Sequence, residues 1–283
     1  MKTGFNLLLW TAHVTNEYFQ IFEKLKATGY DSVEIPLFAG DPGHYRQVAA
    51  AIRDNGLACT TVTVIPDQQH NPLSPEAPHR AAAVDHLKWA IDCSAAAGSS
   101  LLCGPYHQPL GEFSGDGPTE EEEQRAADVH RVAAGYAQEQ GVHMCIEYLN
   151  RFECYFINTM ADAAAHVKRV GHPNFHTMYD TFHANIEEKD PVGAIEPHID
   201  VIKHVHISEN DRGTPGKGHV PFAATFQALH RAGYDGFVTI ESFGRALPDL
   251  AAATRVWRDF SPSPDEVVME GYRLLRSLID AGE

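Results

Sequence analysis

The stretch Val142-His-Met-Cys-Ile146, which runs directly into Glu147, decides how this chain folds. It is a short apolar run of strand-forming residues that ends in an acidic side chain. Three later runs likewise end at an acidic or histidine side chain, namely Asp180, His206 and Glu241. Between successive runs lies a segment long enough to hold a helix. In a closed parallel barrel the carboxyl ends of the strands surround one mouth, so we expect these four side chains to converge.

On both sides of this repeat, strand-like segments alternate with amphipathic segments along the whole chain. Strands are predicted near residues 3–9, 31–36, 58–65, 99–104, 142–147, 175–180, 202–207 and 236–241. Helices are predicted near residues 16–28, 43–55, 79–97, 119–140, 159–170, 188–200, 221–232 and 264–281. This alternation, with no linker to divide it, predicts an α/β fold, a (β/α)8 or TIM barrel formed by residues 1–283 as a single domain.

Several of the predicted helices end at a glycine, and the next strand begins just beyond it. These glycines are Gly29, Gly56, Gly141 and Gly233. Helices commonly end on a residue with left-handed backbone angles, which glycine adopts without strain. We therefore expect a positive φ at each of these positions.

The composition excludes several classes of partner. The 283 residues carry a formal net charge of −16, so the chain lacks the basic surface that nucleic acid or an anionic membrane requires. A small neutral substrate is compatible with this charge. The five cysteines include no Cys-x-x-Cys pair, and the apolar run near the amino terminus is too short to cross a bilayer. We expect a cytoplasmic protein with reduced cysteines and no membrane contact.

Three carboxylates and one imidazole at neighbouring strand ends predict a site for a single divalent metal ion. Taken singly, each side chain would more often be a helix cap or a buried core residue. Four of them on consecutive strands favour a common site. An oxygen-rich set with one nitrogen suits Mn²⁺ or Mg²⁺ better than structural zinc, which prefers sulfur and nitrogen ligands.

Further polar side chains follow three of these strands closely enough to reach the same mouth. Glu153, His183 and Arg212 lie six, three and six residues beyond the fifth, sixth and seventh strand ends. A solvated surface ion pair is the structural alternative for Glu153 and Arg212. For His183, the alternative is a hydrogen bond that orients a metal ligand.

Motifs along the chain resemble those of the D-tagatose 3-epimerase family, which includes the D-psicose (D-allulose) and L-ribulose 3-epimerases. They are Ile146-Glu-Tyr-Leu-Asn-Arg-Phe-Glu153, Asp180-Thr-Phe-His-Ala-Asn-Ile-Glu-Glu188, His204-Val-His-Ile-Ser-Glu-Asn-Asp-Arg212, Pro215-Gly-Lys-Gly-His-Val-Pro221 and Val256-Trp-Arg-Asp259. The resemblance covers essentially the whole chain and is strongest from residue 142 to residue 260.

The resemblance implies a metal-dependent enzyme that inverts C3 of free ketoses of the D-tagatose, D-psicose, D-fructose and L-ribulose type. It implies one divalent ion, Mn²⁺ with Mg²⁺ or Co²⁺ as alternatives, bound by Glu147, Asp180, His206 and Glu241. Acid/base chemistry would fall to Glu147 and Glu241. A metal that chelates O2 and O3 would stabilise the enediolate formed when the C3 proton leaves. One carboxylate would remove that proton, and the other would return one to the opposite face.

The resemblance also implies that the upper end of an open-chain ketose is bound by Glu153, His183 and Arg212. By analogy with the family, the protein would be a homodimer or a homotetramer. The sequence departs from the common pattern at Ser242, where the family usually has proline, and in the first strand, which lacks the usual tyrosines. It also lacks a tryptophan in the loop after the fourth strand, so the wall around the far end of the sugar differs.

Three other functions stay open at this point. An aldose–ketose isomerase would use the same site to move a proton between C1 and C2. An apurinic-site endonuclease shares the barrel and would use His70 and His107 as additional zinc ligands, but the net charge argues against it. A non-catalytic sugar-binding barrel would need no pair of metal-bound carboxylates. We expect His70 and His107 instead to be loop residues that shape the sugar pocket.

Overall fold

Parallel strands close into a barrel in the computed structural model, which describes residues 1–282. In the described chain these strands are β1 (Lys2–Asn6), β2 (Ser32–Pro36), β3 (Ala58–Val62), β4 (Leu101–Gly104), β5 (His143–Ile146), β6 (Phe175–Asp180), β7 (Ile202–Ile207) and β8 (Phe237–Ile240). They are arranged in chain order, and β8 pairs with β1, so the sheet is closed. The predicted (β/α)8 barrel is confirmed.

The helices that surround the barrel mostly follow the prediction. Those in the described chain are α1 (Phe19–Thr28), α2 (Pro42–Asp54), α3 (Ala77–Ala96), α4 (Glu120–Glu139), α5 (Met160–Val170), α6 (Thr181–Glu187), α7 (Phe222–Arg231), α8 (Pro248–Ala253) and α9 (Pro264–Asp280). The helix predicted at 188–200 is wrong. Instead, α6 begins directly after β6, and only a 3-10 helix at Glu196–Val201 follows. Pro191 and Gly193 explain the difference, since neither favours a helix interior.

Side chains of the strands alternate between the barrel interior and the layer of helices, as the two-residue period of a strand requires. In β2, Val33 and Ile35 belong to the outer core, while Glu34 bonds to groups inside the barrel. In β7, Val205 packs outward, and His206 reaches the interior. The apolar residues therefore attach the helices, and the polar ones are brought together at the centre.

The glycines at the helix–strand junctions adopt the predicted conformation. Their φ angles are 116° at Gly29, 63° at Gly56, 72° at Gly141 and 72° at Gly233. A residue with a Cβ atom would be strained at these angles. The junction glycines therefore let each helix stop and the chain turn back into the barrel.

Among residues 1–282, no helix combines the length and the apolar character that a membrane crossing would require.

Candidate active site

The residues at the carboxyl ends of β5, β6, β7 and β8 converge, as the strand-end pattern predicts. One ligand atom from each residue lies within 4.8 Å of the others, and all four side chains are buried: Glu147, Asp180, His206 and Glu241. Each side chain arrives from a different strand, so the closure of the barrel sets their spacing. The cluster has the composition and size of a site for one metal ion.

The imidazole of His206 lies at the centre of this cluster. Its Nδ1 atom is 3.4 Å from Glu241 Oε1, 3.7 Å from Asp180 Oδ2 and 4.0 Å from Glu147 Oε1. This buried Nδ1 has no hydrogen-bond partner. Burial alone would lower the pKa of His206, but the carboxylates, first of all Glu34, outweigh it and raise the pKa well above its usual range.

The two carboxylate oxygens of Asp180 have different surroundings. Oδ1 accepts hydrogen bonds from the backbone N–H groups of Phe182, at 2.6 Å, and His183, at 3.3 Å, and so caps α6. Oδ2 faces the cluster. Burial would raise the pKa of Asp180, but the positive charge of Arg212 outweighs it and holds the pKa below its usual range. One oxygen of Asp180 therefore caps a helix, while the other stays directed at the cluster.

The carboxyl groups of Glu147 and Glu241 complete the cluster from β5 and β8. Burial, and then the charge of Glu241, raise the pKa of Glu147 well above its usual range. A buried carboxylate next to other carboxylates is costly unless positive charge accompanies it. The surroundings of Glu147 therefore disfavour its ionised form.

Arg212 provides the positive charge that the protein itself brings to the cluster. Its Nη1 atom contacts the Glu241 carboxylate and lies 3.4 Å from Asp180 Oδ2. The guanidinium lies over the rings of Phe182, at 3.9 Å, and Phe243, at 4.7 Å. Aromatic faces attract cations in this geometry, so the two rings orient the group.

The backbone of Arg212 adopts a left-handed conformation, with φ at 64°. Residues with a Cβ rarely adopt this conformation unless the surroundings hold them in it. The carbonyl of Arg212 accepts hydrogen bonds from Ser242 Oγ, at 2.7 Å, and from the N–H of Phe243, at 3.1 Å. Ser242, the position at which the family usually has proline, thus helps to hold the arginine toward the site.

His183 and Glu153 are connected through Asn150. The backbone N–H of Asn150 donates to His183 Nδ1 at 2.9 Å, and its side-chain amide donates to Glu153 Oε1 at 2.9 Å. Nε2 of His183 lies 3.0 Å from Arg212 Nη2 and 3.6 Å from Glu147 Oε1. Burial lowers the pKa of His183 to about 3, so the ring is neutral. Burial likewise raises the pKa of Glu153.

The predicted substrate residues line one cavity together with two of the predicted metal ligands. Its charged and histidine lining consists of Glu147, Glu153, His183, Arg212 and Glu241. The remaining lining is apolar except for Thr254: Leu8, Phe38, Val62, Val64, Pro105, Leu110, Leu149, Phe243 and Leu250. All lining residues from β1 to β4 and their loops are apolar, so the charged groups lie on the β5–β8 side. Arg212 is only 4% exposed, which excludes the surface ion pair with Glu153.

His70 and His107 lie apart from the metal cluster. Neither belongs to a group of potential metal ligands within residues 1–282. His107 is fully buried, and His70 contacts Asp67 Oδ1 at 2.7 Å beside a neighbouring cleft of about 480 Å³. Neither lines the cavity that holds the carboxylates, so the expectation that they shape the sugar pocket is not met. These two residues likewise do not supply the additional zinc ligands that an endonuclease would need.

Two residues that support the cluster were not predicted. Glu34 in β2 contacts His206, and Asn6 in β1 contacts both Glu34 and Glu241. A glutamate inside the apolar run Ser32-Val-Glu-Ile-Pro36 is the signal that could have revealed the first of them. A buried carboxylate needs several donors, and so implies a polar centre nearby.

The residues of the cluster fit a divalent cation. The unpartnered Nδ1 of His206 faces three carboxylates and is placed to be the nitrogen ligand of a cation. These carboxylates face one guanidinium, so the ionised cluster keeps an excess of negative charge that a divalent ion would balance. The oxygen-rich set with one nitrogen suits a hard or borderline ion such as Mg²⁺ or Mn²⁺.

Comparison with known proteins places the chain in a family. The model of the xylose isomerase-like TIM barrel family matches residues 22–278. A ketose 3-epimerase of Arthrobacter globiformis is 30% identical over 99% of this chain and 98% of its own length. A D-psicose 3-epimerase of Ruminiclostridium cellulolyticum is 32% identical over 95% of this chain and 93% of its own length.

Solved structures agree with these relatives. The structure of a D-psicose 3-epimerase with D-tagatose, from Clostridium cellulolyticum H10, superposes with a TM-score of 0.90 at 29% identity and covers 100% of both chains. The similarity thus includes every strand that contributes to the carboxylate cluster. The chain belongs to the xylose isomerase-like TIM barrel family, within its group of ketose 3-epimerases, and is an enzyme of the isomerase class.

Proposed function

We propose that this protein inverts C3 of free ketoses with the help of one divalent metal ion, Mn²⁺ in the first place. The ion would be held by Glu147, Asp180, His206 and Glu241. The observation that carries the proposal is the position of two carboxylates. Glu147 and Glu241 reach the same imidazole nitrogen from β5 and β8, and both line the cavity. Epimerisation needs two such groups because the proton leaves one face of the carbon and returns to the other.

A bound divalent ion would draw electron density from the carbonyl and hydroxyl oxygens beside C3 and make the C3 proton more acidic. The residues of the chain then share the proton transfer. One of Glu147 and Glu241 removes the proton, and the other donates one to the opposite face. Asp180 and His206 take no part in it and hold their places through the α6 cap and the contact with Glu34.

The substrate would be oriented by the polar groups that border the same cavity. Glu153, His183 and Arg212 would bind the O1 end of an open-chain ketose. Asn150 holds two of them in position through hydrogen bonds of 2.9 Å. Groups fixed before the substrate arrives lose little entropy on binding, which favours a precise placement of C3 between the two carboxylates.

The apolar lining on the β1–β4 side predicts that the substrates are free ketoses. Among the described residues, Arg212 is the only basic side chain other than His183 that lines the cavity, and it is paired with Glu241 and Asp180. A phosphate at the far end of the sugar would meet apolar side chains such as Leu8 and Val62 without a cation to pair with. We expect kcat/KM for D-fructose 6-phosphate to be at least about 10²-fold below that for D-fructose, the order of an unpaired charge that loses solvent. Higher efficiency on ketose phosphates than on every free ketose would contradict this.

A panel of free ketoses tests the proposed function directly. The purified enzyme would be incubated with Mn²⁺ and D-fructose, D-psicose, D-tagatose or L-ribulose, and the products separated against authentic C3 epimers. We expect the C3 epimer as the first product. Aldoses as the main products would instead assign the site to an aldose–ketose isomerase, which uses the same proton chemistry between C1 and C2.

We further propose that the protein is cytoplasmic and forms a homodimer or a homotetramer. All five cysteines are unpaired and buried, which suits a reducing compartment. The assembly rests on analogy with the family, and sedimentation of the purified protein would measure it.

A further inference from the structure

Glu34 is a charged side chain in the interior of the barrel, where a carboxylate is costly unless several donors surround it. It is fully buried in the middle of β2. Its Oε1 accepts hydrogen bonds from Asn6 Nδ2 at 2.9 Å and from His206 Nε2 at 2.7 Å. Its Oε2 accepts from Thr60 Oγ1 at 2.9 Å and from Cys103 Sγ at 3.4 Å. The barrel thus holds a fully buried carboxylate whose two oxygens both accept hydrogen bonds.

The contact with His206 fixes which ring nitrogen carries a proton. An ionised carboxylate can only accept hydrogen bonds, so Nε2 of His206 must donate to Glu34. Nδ1, which faces the three carboxylates of the cluster and has no partner of its own, is then the nitrogen that remains for a metal ion. Metal-binding histidines commonly have their second nitrogen held in this way, which sets the tautomer and the ring orientation.

The same carboxylate also supports a second residue of the cluster. Asn6 donates from one nitrogen to Glu34 Oε1 and, at 3.3 Å, to Glu241 Oε1. The other end of the amide is fixed, because Asn6 Oδ1 accepts a hydrogen bond of 2.8 Å from the N–H of Leu8. Glu34 is therefore linked to residues on both β7 and β8, from a strand that contributes nothing to the cluster itself.

The residues around Glu34 also have the spacing of a second metal site. His204 Nε2 lies 2.8 Å from Glu34 Oε2, and Cys103 is within reach of both Glu34 and His206. Both carboxylate oxygens, however, already accept from donors that hold them in place. The group is better described as a hydrogen-bonded support beneath the first cluster.

We propose that Glu34 is a positioning residue that presents Nδ1 of His206 to the metal ion and so sets the affinity of the site. This inference rests on the proposed function only for the identity of the metal ligands. It predicts that loss of the Glu34 charge weakens metal binding without removing any ligand.

The test compares Glu34→Gln with a matched control, Glu209→Gln, by calorimetric titration of the metal-free proteins with Mn²⁺. Glu209 is also buried, but its side chain bonds to the backbone N–H groups of Asn210, Gly216 and Val220 and contacts no ligand of the cluster. We expect Kd to rise roughly 10–100-fold in Glu34→Gln, as for other supports of metal ligands. In Glu209→Gln it should stay within about threefold of wild type. Wild-type affinity in a folded Glu34→Gln variant would overturn the inference.

A second measurement separates this inference from the proposed function and from a folding defect. Nitrogen NMR of histidine-labelled wild-type protein, with and without Mg²⁺, reports the tautomer of His206, whose signals are assigned by their loss in His206→Asn. We expect a proton on Nε2 in both samples. A bare Nε2 with the proton on Nδ1 would overturn the role of Glu34. Failure of the wild type to bind any divalent metal would contradict the proposed function, while a protonated Nε2 would still support the positioning role.

Discussion

Replacing either Glu147 or Glu241 by glutamine should stop epimerisation, with a loss in kcat/KM of at least roughly 10²–10⁴-fold, the range for a lost general acid or base. Each amide keeps an oxygen directed at the metal position, but neither can accept the C3 proton. Because each carboxylate serves one face of the carbon, the remaining one cannot complete the inversion. Rates measured with D-psicose and with D-fructose, in samples of known metal content, would give the loss of kcat/KM for each direction of the reaction.

Solvent isotope exchange makes this prediction specific to C3. In D₂O the wild-type enzyme should place deuterium at C3 of the product, since the returned proton need not be the one removed. A variant with one glutamate left should still exchange the C3 proton of the epimer whose C–H bond faces that glutamate, without a change of configuration. Deuterium at C1 or C2 would contradict the proposed chemistry.

A glutamate in the same cavity provides the control. Glu153 has no place in the metal cluster, lines the same cavity and is proposed above to bind the substrate. Glu153→Gln should therefore keep both exchange and inversion at C3 and act mainly on KM. Near-normal epimerisation by either Glu147→Gln or Glu241→Gln with metal bound would refute the assignment of two bases.

The fold could be predicted because its determinants are local and repeated. Short runs of strand-forming residues recur along the chain, and glycines such as Gly29 and Gly233 mark the turn from helix to strand through their positive φ. The helix predicted at 188–200 was wrong because the position of the helix in this part of the chain depends on an N-terminal cap. Asp180 starts α6 directly after β6, and this is visible only once its Oδ1 is seen to accept the two backbone N–H groups. The short α8 has too few residues to show a period.

The close approach of the four strand-end residues could be predicted for a different reason. The barrel places every strand end at one mouth, so Glu147 and Glu241 can be brought together without knowledge of any side-chain contact. The support from Glu34 could not be found in this way, because it depends on register. Glu34 and His206 are 172 positions apart, and their contact requires the strands to close with one particular stagger.

Removal of the metal should abolish turnover, and addition of Mn²⁺ or Co²⁺ should restore it. Without a cation, burial and the neighbouring charge of Glu241 raise the pKa of Glu147, which disfavours the ionised form that accepts a proton. The measurement is activity after prolonged dialysis against a chelator, with the metal content of each sample determined. Full activity in a sample shown to be free of metal would contradict the metal-dependent mechanism.

Thermal unfolding of the same samples tests binding separately from catalysis. A ligand that binds only the folded state stabilises it by mass action, by about 2.7 kcal/mol at 100 times its Kd. For a chain of this size, this corresponds to a rise in Tm of roughly 5 °C. Asp180→Asn is the informative variant. Asparagine caps a helix as well as aspartate does, so α6 should persist, while the charge toward the cluster is lost. The variant should fold, and its Tm should respond far less to Mn²⁺. An undiminished shift would place the metal elsewhere in the protein.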